Sequence, residues 1–174
     1  MNSTFSRSKH MPCHHLAFWT RCTAFAVLSM AASQLAIAQT YTLTHTFDDP
    51  TITTSDLFGQ AVDFDGTRVL VGAPADDTAG TDIGQAYLFA AATGNLLQTF
   101  DDPTITTSDR FGFAVAMDGN HVLIGSHDDD TNGNNVGQAH LFDATTGNLL
   151  QTFDDPTITA SDNLGAAVAI DGND

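Results

Sequence analysis

The stretch Thr-Phe-Asp-Asp-Pro-Thr-Ile-Thr occurs three times in this chain, beginning at Thr46, at Thr99 and at Thr152. Both intervals are 53 residues, and the first two copies align without a gap, with 36 of 53 positions identical. Self-similarity at a fixed period of this size indicates a repeat architecture in which each copy forms one supersecondary unit. We therefore predict a lead-in strand at 39–45, repeat 1 at 46–98, repeat 2 at 99–151 and a partial repeat 3 at 152–174.

Each full copy contains four short runs of strand-forming residues, separated by turn residues. In repeat 1 the runs are Gly59–Phe64, Arg68–Ala73, Gln85–Phe89 and Leu96–Phe100. Asp65-Gly66, between the first two runs, suits a two-residue hairpin because both positions accept positive φ. Four antiparallel strands in a unit of about 50 residues predict an all-β fold, a propeller of about two and a half four-stranded blades. A sandwich of tandem hairpins is the alternative, which the fixed period disfavours.

Two short motifs recur at fixed places in the repeats. Phe58-Gly59 and Phe111-Gly112 precede the first strand of their copies, and Leu164-Gly165 takes that place in the partial copy. Gly72-Ala73-Pro74 ends the second strand of repeat 1, where repeat 2 has Gly125-Ser126-His127. Over about residues 44–174 the layout resembles the FG-GAP repeat, the blade of the integrin α-subunit propeller and of many bacterial exported proteins. The resemblance implies a propeller blade with a binding or adhesion role.

Integrin-like members of that family carry a calcium loop, D-x-D-x-D-G-x-x-D, in the first hairpin. This chain has only Asp63-Phe64-Asp65-Gly66 and Ala116-Met117-Asp118-Gly119 at that place. These hairpins are too tight to wrap an ion that takes about six or more oxygens. The calcium site of the family is therefore not carried over to this chain.

The loop after the second strand is the candidate cation site. It holds Asp76, Asp77 and Asp82 in repeat 1, and Asp128, Asp129 and Asp130 in repeat 2. Clustered carboxylates repel one another without a cation and suit calcium, a hard ion. The alternative is a solvated acidic loop whose side chains bond their own backbone. The other repeated acidic pairs, Asp48-Asp49 and Ser55-Asp56 with their copies, are predicted to form turns and loop caps.

Charge restricts the possible partners. Residues 39–174 contain all 21 acidic residues, each an aspartate, against two arginines, a formal charge of −19. A domain this acidic repels nucleic acid and anionic lipid, and it attracts cations. The expected partners are a surface protein or a polysaccharide. Since closed propellers need about four to eight blades, we also expect open β edges that self-associate, or a fragment of a larger propeller.

The sequence gives little support for catalysis. His45, His121, His127 and His140 occupy four different repeat positions, and residues 39–174 contain no cysteine and no nucleophile elbow. An active site is normally one asymmetric constellation, whereas the aspartates here recur with the repeat. We expect a binding or structural scaffold and not an enzyme. The alternative is a propeller-based extracellular hydrolase or lyase whose catalytic residues lie outside this chain.

Residues 1–38 have the composition of a secretory signal peptide. Basic residues end at Arg21, an uncharged apolar run follows from Cys22 to Leu35, and Ala36-Ile37-Ala38 matches a small-residue cleavage site. A retained membrane anchor is the alternative, but the apolar run is short for one. We expect a secreted or extracytoplasmic protein, in the periplasm or on the cell surface, without membrane insertion after cleavage.

Export from a bacterial host should therefore give a mature protein that begins at Gln39, as read by N-terminal sequencing. Ala38→Leu should block processing because the residue before the cleaved bond must be small. Ile37→Val, at the unconstrained middle position, serves as the control and should be processed normally. An exported wild-type chain that still begins at Met1 would contradict the cleavage prediction.

Overall fold

The computed structural model describes residues 42–51 and 53–172. Eight strands form in these ranges: β1 Ala61–Phe64, β2 Arg68–Ala73, β3 Gln85–Ala90, β4 Leu96–Asp101, β5 Phe111–Asp118, β6 His121–Ser126, β7 Gln138–Asp143 and β8 Leu149–Asp154. They form two antiparallel sheets, ordered β1-β2-β3-β4 and β5-β6-β7-β8. The predicted all-β fold of four-stranded blades is confirmed. We call the two sheets blade 1 and blade 2.

Two predictions concern the chain before blade 1. The signal peptide at 1–38 lies outside the described residues. Of the lead-in strand, residues 42–45 are described, and they form no strand. Shortly after them, the ring of Phe47 packs against that of Phe89, with centroids 5.4 Å apart. Within the described ranges, no helix is long and apolar enough to cross a membrane.

Corresponding residues of the two blades have the same place in their sheets. In blade 1, Tyr87 on β3 is opposite Thr99 on β4. In blade 2, His140 on β7 is opposite Thr152 on β8. His140 therefore occupies the place in blade 2 that Tyr87 occupies in blade 1.

The main hydrophobic core lies between the two blades. Phe100 of blade 1 packs against Phe142 of blade 2, with ring centroids 5.3 Å apart. The buried residues of this core are Leu70, Ala86, Leu88 and Phe100 from blade 1, with Phe111, Met117, Val122, Ile124, Phe142 and Ala144 from blade 2 and its flanking turn. Removal of this apolar surface from water is the main force that holds the blades together.

The backbones of the two blades approach closely at two glycines. A methyl group at Gly72, in the Gly-Ala-Pro motif of blade 1, would overlap the carbonyl oxygen of Gly112, in the Phe-Gly motif of blade 2. One period later, a methyl group at Gly125 would overlap the carbonyl oxygen of Gly165. The two motifs that define the repeat are therefore opposite sides of one contact between successive units.

Backbone hydrogen bonds between loops fix the spacing of successive units. The amide of Phe111 donates to the carbonyl of Ile83 at 2.7 Å. The amide of Leu164 donates to the carbonyl of Val136 at 2.9 Å, the same bond displaced by one period. Each unit therefore places the next one through main-chain groups.

A pair of alanine substitutions tests the contact between the glycine backbones. Gly59 and Gly112 both have φ +89, but a methyl group has open space at Gly59 and would overlap the carbonyl of Gln85 at Gly112. Gly59→Ala should cost only backbone strain, roughly 1–2 kcal/mol. Gly112→Ala should cost about 1–3 kcal/mol more, because the blades must also move apart.

The measurement is urea unfolding of both variants at a concentration where the chain is monomeric. Equal losses of unfolding free energy in the two variants would contradict the close contact.

Candidate functional site

Each repeat contains a buried cluster of polar side chains at one end of its blade. In repeat 1, carboxylate oxygens of Asp49, Asp56 and Asp76 lie within 4.8 Å of one another; we call these residues the first cluster. In repeat 2, Asp102, Asp129 and a ring nitrogen of His140 meet the same distance limit; we call these the second cluster. All three residues of the second cluster are buried.

Short turns hold the aspartates of both clusters. The carboxylate of Asp49 accepts from the amide of Thr51 at 3.0 Å, and that of Asp102 accepts from the amide of Thr104 at 2.8 Å. These residues belong to the Asp-Asp-Pro-Thr segment, whose turn prediction fits this bonding. A buried carboxylate, however, also acts as a tie between separate loops.

In repeat 1, two hydroxyl groups supply donors to the first cluster. Tyr87 Oη donates to Asp76 Oδ2 at 2.6 Å, and Thr51 Oγ1 donates to the same oxygen at 2.5 Å. Gln85 Oε1 lies 2.5 Å from Tyr87 Oη. Burial and the Asp76 carboxylate raise the pKa of Tyr87 well above its usual value. The phenol therefore stays protonated.

In repeat 2, an imidazole replaces the phenol. His140 Nδ1 lies 3.2 Å from Thr152 Oγ1, while His140 Nε2 is buried without a hydrogen-bond partner. Burial lowers the pKa of His140 to about 4, although the charges of Asp129 and Asp154 oppose the shift. The ring is therefore neutral at physiological pH.

Burial and hydrogen bonds shift the pKa values of the clustered carboxylates in opposite directions. Burial is the largest influence on Asp76, yet hydrogen bonds from Thr51, Tyr87 and Thr78 outweigh it and lower the pKa of that residue. Burial raises the pKa of Asp102 to about 6, reinforced by the charges of Asp109 and Asp129. Asp49, which has the repeat position of Asp102, also has a raised pKa, with burial as the largest cause.

The structure distributes the six aspartates of the predicted cation loops. Asp76 belongs to the first cluster and Asp129 to the second, whereas the remaining four lie outside both. In those loops Asp77 accepts from the amide of Asp82 at 2.8 Å. Asp130 accepts from the amide of Asn135 at 2.6 Å. A calcium ion held by Asp76, Asp77, Asp82, Asp128, Asp129 and Asp130 stays a prediction.

Asp128 has a different environment from the other loop aspartates. Its carboxylate lies 3.3 Å from the guanidinium of Arg110 and 3.4 Å from His127 Nε2. It also accepts from the side-chain amide of Asn135 at 2.9 Å. Asp128 therefore ties the loop to its neighbours.

Sequence reasoning missed Asp102 and His140 as members of one site. Turn chemistry predicts only a turn at Asp102, and His140 has no histidine at the corresponding position of the other copy. The alignment contains a signal for this site. Tyr87 and His140 lie 53 residues apart on otherwise apolar strands, and each is a ring with a polar atom. A polar tip on a buried strand needs a partner, which is a reason to look for a cluster.

The pKa of Asp102 predicts how stability depends on pH in the metal-free protein. The folded state binds a proton up to about pH 6, whereas an unfolded aspartate releases it near 3.8. The unfolding free energy should therefore fall as pH rises from about 4 to 6, by at most about 3 kcal/mol. Asp102→Asn should remove that fall, as measured by urea unfolding in chelator across this pH range.

Asp155 has the same repeat position as Asp102 but is only partly buried, and hydrogen bonds from Thr157 lower its pKa, so Asp155→Asn is the matched control. That variant should keep the fall in stability. A wild-type chain whose stability rises between pH 4 and 6, with Asp102→Asn behaving identically, would contradict the raised pKa of the buried Asp102 carboxylate.

Comparison with known proteins agrees with the repeat. A family model described as FG-GAP repeat matches residues 52–89 and 105–142. No curated protein matches the sequence significantly. A crystal structure of the computationally designed Ika8 protein is similar at a TM-score of 0.30 and 19% identity, over 67% of this chain and 40% of that one. Each matched segment includes a Phe-Gly motif and ends within the third strand of its blade, so the chain contains two FG-GAP repeats.

Proposed function

We propose that the protein is an exported, non-enzymatic scaffold whose blades associate head to tail with those of a second copy. FG-GAP repeats suggest a propeller-type scaffold or binding module. The observation that carries the proposal is a difference in exposure between corresponding residues. Phe100 is 1% exposed and its counterpart Phe153 is 45% exposed; Met117 is 7% exposed and its counterpart Phe64 is 59% exposed.

The first open surface is the outer side of blade 1. Val62 and Phe64 on β1 are exposed there, although their counterparts Val115 and Met117 on β5 pack in the core between the blades. We call this surface the front face. By repeat position, it corresponds to the side of blade 2 that blade 1 covers.

The second open surface is the outer side of blade 2, which we call the back face. Phe153 is exposed there, at the position where Phe100 of blade 1 is buried. A shallow apolar groove of about 270 Å³ crosses this face, with Leu123, Phe153, Leu164 and Val168 among its lining residues. Residues of the partial repeat 3 therefore cover part of the face and leave part of it open.

A second copy of this chain fits both faces. The back face has Leu123, Leu141 and Phe153 where blade 1 presents Leu70, Leu88 and Phe100 to blade 2. Only the latter three are wholly covered by a neighbouring blade. An interface between a back face and a front face would therefore repeat part of the contact already made within the chain, because Phe47 packs on Phe89 in the place where Phe100 packs on Phe142.

The geometry of such contacts determines whether the assembly is closed or open. A front face joined to a back face is a heterologous contact, which closes into a ring or continues as an open chain. Propellers with about four to eight blades would take about two to four copies. The strong negative charge opposes association, but physiological salt screens exposed charges beyond about 8 Å.

A non-enzymatic role is supported by the placement of the aspartates. Those in the second cluster are buried beneath loops, where they cannot touch a substrate. Their hydrogen bonds join segments of the chain, as expected of a structural network. We propose a surface protein or a polysaccharide as the external partner, bound by the exposed acidic loops or the rim of the assembled blades. The proposed export rests on the leader at residues 1–38.

Complementation between two variants tests the assembly. Phe64→Asp should disable only the front face and Phe153→Asp only the back face, because a charge placed in an apolar contact loses its hydration. Each variant alone should be a monomer by light scattering in physiological salt. An equimolar mixture should form a dimer, since one variant keeps its back face and the other its front face.

Thr54→Asp adds the same charge at an exposed loop position and should leave the wild-type mass unchanged. A wild-type chain that is monomeric at high concentration would contradict the proposed assembly. So would a mixture that stays monomeric while the wild type associates.

A further inference from the structure

We propose that Asp102, Asp129 and His140 form a zinc site in repeat 2 that repeat 1 lacks. A ring nitrogen of His140 and carboxylate oxygens of Asp102 and Asp129 lie within 4.8 Å of one another. The three residues come from the Asp-Asp-Pro-Thr segment, the loop after β6 and strand β7, so an ion here would join three parts of the repeat. The site is independent of the proposed assembly through blade faces.

An unpartnered nitrogen distinguishes this cluster from an ordinary group of acidic residues. His140 is fully buried. Its Nδ1 is engaged by Thr152 Oγ1, which leaves Nε2 without a hydrogen bond. In repeat 1 the tip of the corresponding ring, Tyr87 Oη, reaches Asp76 Oδ2 at 2.6 Å. The free Nε2 therefore belongs to the ring that has the repeat position of that phenol.

A shortage of donors also indicates a cation. Thr104 Oγ1 lies 2.9 Å from Asp129 Oδ2, 2.9 Å from Gln138 Oε1 and 3.1 Å from Asp102 Oδ1. One hydroxyl proton can serve only one of these three acceptors well. Repeat 1 meets the same demand with the hydroxyl of Tyr87. The second hydroxyl of repeat 2, that of Ser126, instead donates to Asp102 Oδ2, at 3.4 Å, and the place of the phenol is taken by a nitrogen lone pair.

The ligand set selects the metal. Calcium takes oxygen ligands, about six or more of them, whereas an imidazole nitrogen with two carboxylates suits zinc. Zinc ligands lie about 2.1 Å from the ion, so tetrahedral neighbours are about 3.4 Å apart. Side-chain rotations that move the ligand atoms by about an ångström would bring the three atoms to that spacing. Gln138 Oε1 and Thr104 Oγ1 are the nearest protein oxygens for a fourth position.

The proposed role of the ion is structural. Burial on all sides leaves no open position for a substrate, and the two positive charges of zinc would offset the two carboxylates that face each other here. An ion that binds only the folded chain also stabilises it by mass action. We therefore expect zinc to raise the melting temperature without conferring an activity.

Repeat 1 has Tyr87 where repeat 2 has His140, and this natural difference suggests the variant that tests the zinc site. His140→Tyr gives repeat 2 the side chain that repeat 1 already accommodates, so it should fold while losing the nitrogen ligand. Tyr87→His makes the reciprocal change in repeat 1. The full-length chains are dialysed against excess zinc, freed of unbound metal and analysed for zinc per chain, with thermal unfolding measured in zinc and in chelator.

Cys13, Cys22 and three further histidines precede residue 39 and can bind zinc themselves, so the readout is the difference between variants. Wild type should hold one zinc more than His140→Tyr, and its melting temperature should rise in zinc by several degrees more than that of the variant. Equal zinc content in two folded chains would overturn the proposal. Binding of calcium in preference to zinc at the wild-type cluster would also overturn it.

If His140→Tyr does not fold, the reciprocal variant decides. Tyr87→His should then hold one zinc more than wild type, because it places an imidazole beside Asp49 and Asp76. No additional zinc in folded Tyr87→His would overturn the assignment.

Discussion

The backbone of Gly112 lies so close to that of Gly72 that no side chain fits between them. This contact sets the distance between successive units, and the hydrophobic core has only the space that the distance leaves. Phe100 and Phe142 meet across that space at 5.3 Å between ring centroids. The Gly-Ala-Pro and Phe-Gly motifs thus form the two sides of one close backbone contact, and this contact sets the distance at which the aromatic rings pack.

The buried polar clusters help to position the loops that make this contact between successive units. Asp76 lies near the start of the loop after β2, and its carboxylate accepts hydrogen bonds from Thr51 and Tyr87. The same loop ends at Ile83, whose carbonyl accepts the amide of Phe111 in the next blade. A polar cluster that orders the start of the loop therefore helps to place its end. This coupling explains why fully buried charged groups, costly in themselves, recur in each repeat.

The strands could be predicted closely from sequence, and the polar clusters could not. A run of strand-forming residues bounded by turn residues places β2 at Arg68–Ala73, as the structure has it, because local propensity and burial act together there. Asp49 and Asp102 fit turns equally well by local chemistry, so nothing in their immediate sequence indicates convergence with Asp76 or Asp129. Convergence depends on how loops cross at the end of a blade, which is set by tertiary packing. The role of His140 becomes visible only when its ring is placed beside that of Tyr87.

An interface built from main-chain atoms has a consequence for how such proteins diversify. The hydrogen bond between residues 83 and 111 recurs between residues 136 and 164, although the side chains at those positions differ. The two copies have diverged at 17 of 53 positions while this geometry has persisted. A tandem array of this kind can gain a unit by duplication, or lose one by deletion, without any new complementary surface having to evolve. Its side chains then remain free to acquire separate chemistry, copy by copy.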